Sequence, residues 1–100
     1  MKYIIISADG DSMVYFVPDE AADHLERYCF SFCETWLHTN PDAEPYRMGS
    51  VVSYDEKDFI KYLNTWVFPE QPSVFIENIG QVESDADIPE KYRECPVFHF

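Results

Sequence analysis

The fold turns on Lys2 to Pro18, "KYIIISADGDSMVYFVP". Two runs rich in β-branched and aromatic residues flank Asp9-Gly10. An Asp-Gly pair supplies the positive φ angles of a type I′ turn, so the stretch reads as a hairpin. Its "DGD" also matches a fragment of a calcium loop. The further ligands and closing glutamate of such a loop are missing, so a turn is expected. Both faces of the hairpin are apolar, with Ile4 and Ile6 on one and Tyr3 and Ile5 on the other. A strand of that kind is expected to be central in its sheet, or covered on both sides.

Beyond the hairpin, Pro18 to about Thr39 is expected to form the main helix. Pro18 suits a first-turn position, and Asp19, Glu20 and Asp23 favour the positive end of the helix dipole. Ala21, Ala22, Leu25, Tyr28, Cys29, Phe32, Cys33, Trp36 and Leu37 recur at the spacing of a core-facing stripe. Asn40-Pro41 stops the run, and "NPDAEPYRMGS" reads as a loop. "SVVSY" (Ser50–Tyr54) reads as a short strand. Asp55 is a candidate cap for a second helix over Glu56 to Val67, with Phe59, Ile60, Leu63, Trp66 and Val67 on one side. "SVFIENI" (Ser73–Ile79) is a further strand. "ESDADIPEKYRECP" is a polar segment with a turn near Pro89 to Tyr92. "PVFHF" (Pro96–Phe100) is a candidate edge strand. The order β-β-α-β-α-β-(β) predicts a single α+β domain over residues 1–100, with two amphipathic helices packed on a mainly antiparallel sheet. "ETWLHTNP" and "NTWVFPE" share a Thr-Trp-aliphatic ending; convergence of two helix ends is preferred over a duplicated strand–helix unit.

The chain has 100 residues, 46% of them hydrophobic and 17% aromatic, which supplies material for one core. No apolar run approaches the eighteen residues of a membrane span. The opening "MKYIIISADGD" reaches acids too soon for a signal peptide. An odd count of three cysteines fits a reducing compartment. A cytoplasmic protein is therefore expected.

Nineteen acidic residues face seven basic ones, for a formal net charge of −12. Such a surface repels nucleic acid and anionic membranes, and attracts basic proteins. The plain alternative is that acidity keeps an aromatic-rich domain soluble.

Cys29 and Cys33 fall inside the apolar stripe, where free cysteine acts as a small hydrophobe. They are mid-helix, away from the dipole end that activates redox thiols. With Cys95 and His99 they make a formal Cys₃His set for zinc. In an extended "CPVFH", however, Cys95 and His99 would stand about 13 Å apart. Core filling is the preferred reading, with a metal-stabilised or redox-sensitive domain as the alternative. No cofactor is expected. The chain has no Gly-x-Ser-x-Gly, phosphate-binding loop or dinucleotide fingerprint, and no catalytic residue is assigned.

Phe30 breaks the helix pattern. It lies opposite the core stripe, among Asp23, Glu26, Arg27 and Glu34. A large apolar side chain ringed by charge has the composition of a binding hot spot. The ordinary alternative is an exposed hydrophobe, or one covered by a second layer. Glu20, Asp23, Glu26, Phe30 and Glu34 are thus the candidate binding residues. In size and charge the chain is similar to the small acidic proteins that phages and mobile elements use against nucleases. That likeness lies in bulk properties and carries no site residues. The expected function is a non-enzymatic binding module for a basic protein, with inhibition of a nucleic-acid-handling protein as the concrete version. A homo-oligomeric structural protein is the third reading. A homodimer through the sheet is expected to bury whatever face the two helices leave bare.

Overall fold

A computed structural model describes residues 1–100. The hairpin forms as read: β1 (Lys2–Ser7) pairs antiparallel with β2 (Ser12–Val17), from Lys2 opposite Val17 to Ile6 opposite Met13. That register centres on Asp9-Gly10. The turn itself differs from the expectation. Asp9 carries the positive φ, 56°, and Gly10 does not, so Ala8–Asp11 form a looser connection than a type I′ pair. Aspartate tolerates this left-handed geometry better than most residues.

The main sheet runs β5-β2-β1-β6, so the hairpin is central, as its two apolar faces require. β5 (Val74–Gly80) pairs antiparallel with β2. β6 (Val97–His99) is the expected edge strand, but it runs parallel to β1. The fold is α+β with a mainly antiparallel sheet. "SVVSY" departs from the expectation: only β4 (Val51–Val52) forms, and it pairs with β3 (Arg47–Met48) in a separate ribbon. The 3₁₀ turn Pro41–Tyr46 precedes it, started by Asn40, whose side chain accepts from the Asp42 N–H at 2.9 Å.

The main helix spans the expected residues but is not one regular helix. α1 (Asp19–Asp23) and α2 (Leu25–Phe30) meet at His24, whose φ and ψ of −129° and 40° break the run. A π-helical turn, Ser31–Trp36, and a last α turn, α3 (Leu37–Thr39), follow. The second helix repeats the design. α4 (Glu56–Tyr62) starts on a capping box in which Asp55 and Asp58 bond each other's backbone N–H groups. It then widens into a π turn, Leu63–Val67, where the Phe68 N–H donates to the Leu63 carbonyl at 2.7 Å.

Both helices cover one face of the sheet. Ile4, Ile6, Tyr15 and Val17 meet Leu25, Cys29, Phe32, Phe59 and Leu63 there. Phe32 is fully buried and its ring neighbours Trp36, Tyr54, Phe59, Tyr62 and Phe100. On the other face, Ile5 and Val14 are covered by Ile88 and Tyr92, with Ile79, Val82 and Cys95 around them. That face was expected to need a second copy. The chain covers part of it with its own C-terminal segment, pinned by the Tyr92 hydroxyl donating to Glu77 on β5, while Tyr3 stays exposed.

Candidate functional site

The α1–α2 surface is built by the local sequence. Ala21, Ala22, Leu25 and Cys29 turn inward, so the intervening positions face water. Glu20, Asp23, Glu26, Phe30 and Glu34 are all exposed. Phe30 is 40% exposed, and its ring stands edge-on to Phe98 of β6 at 5.4 Å. It is neither core nor free; one side rests on the sheet edge and the other meets solvent.

The charges on this surface are not equally available. Glu20 meets the Arg27 guanidinium at 3.0 Å and His24 Nε2 at 3.8 Å. Asp23 meets Lys2 Nζ at 2.6 Å, which holds the lysine above its ordinary value. Asp19 pairs with the terminal amine at 2.8 Å, and that hydrogen bond lowers its carboxyl. Glu26 and Glu34 have no such partner, and they flank Phe30 in sequence. These ion pairs are exposed, and each contributes little to stability. The unpaired field is therefore narrower than the sequence implied, and it centres on Phe30. The signal that would have found Lys2 opposite Asp23 is the sheet-to-helix packing, which one sequence does not print.

The cysteines do not assemble. Cys29 and Cys33 belong to the core under the helices, whereas Cys95 packs on the opposite face of the sheet. Burial pushes the Cys29 thiol strongly up, and the Cys33 and Cys95 thiols up as well. A raised thiol is a poor nucleophile and a poor ligand. His99 is held elsewhere, its Nδ1 hydrogen-bonded to the Ser7 hydroxyl across the parallel β1–β6 pair. The formal Cys₃His set is thus divided by the sheet. No group of three or more His, Cys, Asp or Glu side chains stands where it could hold a metal ion.

Ser7 and His99 are a pair that sequence reasoning missed, because it depends on β6 joining β1 in parallel. Ser7 is buried, and no third group orients the other ring nitrogen of His99. A serine nucleophile needs an accessible hydroxyl and an oriented base. This arrangement ties two strands together and offers no such site.

A second concave surface lies where the two π turns meet. Trp36 and Trp66, the tryptophans of the shared Thr-Trp ending, approach with ring centroids 6.3 Å apart. Tyr62 and Tyr46 flank Trp36 at 5.3 and 6.3 Å. These rings, with Asp42 and Asp58, line a cavity of about 260 Å³. Desolvation raises the Asp58 carboxyl, with the neighbouring Asp55 charge adding to it. The same Asp58 lies beside the Tyr46 hydroxyl. The sequence showed both tryptophans, but no local pattern in it places them side by side.

Compared with protein-family models, with curated proteins and with solved structures, the chain matches none. No helix is long and apolar enough to cross a membrane.

Proposed function

We propose that this protein is a non-enzymatic binding module that docks on a basic protein partner. The observation that carries the reading is Phe30, a half-exposed aromatic flanked by the unpaired Glu26 and Glu34 on a chain of net charge −12. Acids of this kind steer a basic partner into contact, and the aromatic supplies a desolvating anchor. Lys2 and Arg27 pair with Asp23 and Glu20, so the negative charge beside the anchor comes from Glu26 and Glu34. A nucleic-acid-handling protein is the natural basic partner, and occlusion of its basic groove is the proposed effect. The test is capture from extract on immobilised protein, run beside the Phe30→Ala variant and repeated at high salt. A basic protein retained by the parent, lost on the variant and lost in salt supports the proposal. Identical capture by both forms counts against it.

A homodimer is the second reading, and one observation favours it. Val74, Phe75 and Ile76 of the edge strand β5 are exposed, at 53%, 52% and 37%. An uncovered apolar edge invites pairing with another strand. A lysine at Ile76 blunts such an edge. Sedimentation of a dimer by the parent and a monomer by Ile76→Lys supports the reading; a monomeric parent at high concentration removes it.

A further inference from the structure

We infer that the cavity between the two π turns is a binding site for an organic cation, read by an aromatic cage. Trp36, Tyr46, Tyr62 and Trp66 line it, and Asp42 and Asp58 bring two carboxylates against the single base Lys61. Aromatic faces attract a cation through their quadrupole, and tryptophan does so best. An alkylated ammonium suits them better than a bare metal ion, because its methyl groups are weakly hydrated and pack against rings. The cavity, about 260 Å³, holds a head group and is smaller than a drug-sized pocket.

Three further observations point the same way. Trp66 is 51% exposed, although a tryptophan that served the core would be covered. Its ring stands beside Trp36, with centroids 6.3 Å apart, at the mouth of this cavity. Both tryptophans sit on π-helical turns, Ser31–Trp36 and Leu63–Val67. Such turns are uncommon and recur at functional sites. The two turns carry their tryptophans to one cavity. One base, Lys61, also lines the cavity. The two cation–ring stacks in the molecule are Arg27 on Tyr28 and Lys91 on Tyr92. Lys61 reaches the cavity wall but stacks on none of the four rings and pairs with no carboxylate.

This site uses none of the residues of the α1–α2 surface, so it stands or falls separately from the docking proposal. Its ligand chemistry, a methylated ammonium with an alkyl stem, exists in free small molecules and in methylated lysine side chains. Titration of tryptophan fluorescence distinguishes them. The probes are tetramethylammonium, choline, a trimethyllysine peptide, the same peptide unmodified, and 3,3-dimethylbutan-1-ol as choline's neutral isostere. The expected result is saturable binding of at least one quaternary probe, and binding of the isostere weaker by about tenfold or more. Preference for tetramethylammonium and choline assigns a free ligand; preference for the trimethyllysine peptide assigns a protein ligand. Trp66→Ala, at a half-exposed position, should weaken binding about tenfold with the fold retained. Asp42→Asn, also exposed, should weaken the cation and leave the isostere unchanged. Absence of saturable binding by every quaternary probe overturns the inference. Equal binding of choline and its isostere overturns it too, because the cavity would then be merely apolar.

Discussion

Phe30 and Phe32 sit two positions apart on the same helical run and have opposite fates. Phe32 is fully buried among five other rings; Phe30 keeps 40% of its surface in solvent and touches Phe98. Phe32→Ala should therefore cost about 3–5 kcal/mol, the range for emptying a phenylalanine site in a core. Phe30→Ala should cost about 1 kcal/mol, the worth of one edge-on ring contact and some partial burial. Thermal melts of the two variants check this; equal losses would make Phe30 a core residue and remove the anchor. The inward position of Cys29 was legible from the helical stripe alone. Its thiol is buried and pushed up, while Cys33 and Cys95 are half-buried. Alkylation of native protein should be slow at all three and slowest at Cys29, then fast in denaturant. Rapid native labelling of Cys29 would contradict its burial. The helical period also placed Phe30 outside. It could not show that Lys2 and Arg27 neutralise Asp23 and Glu20, since Lys2 lies 21 residues away along the chain.

At the scale of elements, local signals carried well and long-range ones did not. The hairpin, the Asp55 cap and the extent of both helical runs follow from neighbours in sequence, and each was readable. The parallel pairing of β6 with β1 joins residues near opposite ends of the chain, and no local pattern encodes it. The same blindness hid the Ser7–His99 bond and the meeting of the two tryptophans. It also hid the C-terminal segment that covers part of the sheet's other face. That cover depends on Glu77 of β5, whose carboxylate accepts from Tyr92 and pairs with Lys91 at 3.2 Å. The Tyr92 bond, then the Lys91 bond and charge, lower the Glu77 carboxyl below its ordinary value. A depressed folded value means that protonation favours the unfolded state. The stabilisation is complete above the ordinary carboxylate range and fades as pH falls through the lowered folded value. Glu77→Gln should make unfolding less steeply dependent on pH in that acid range. Acid titrations of parent and variant that superimpose there would show that Glu77 does not anchor the cover.

For the whole molecule, charge and aromatic content pull in different directions. A net charge of −12 repels like charge and attracts basic surfaces, whereas Phe30, Trp66 and the β5 edge offer apolar contact. A docking surface uses both, and their roles separate in kinetics. Steering by exposed charge is screened over about 8–10 Å at ordinary salt, whereas a buried ring contact is not. The most direct test is therefore the binding kinetics of the captured basic partner with three forms: the parent, Glu26→Lys/Glu34→Lys and Phe30→Ala. The account predicts that charge reversal mainly slows association and abolishes most of its salt dependence, while Phe30→Ala mainly speeds dissociation. Association and dissociation rates unchanged in both variants would contradict it, and the α1–α2 surface would not be where this protein binds.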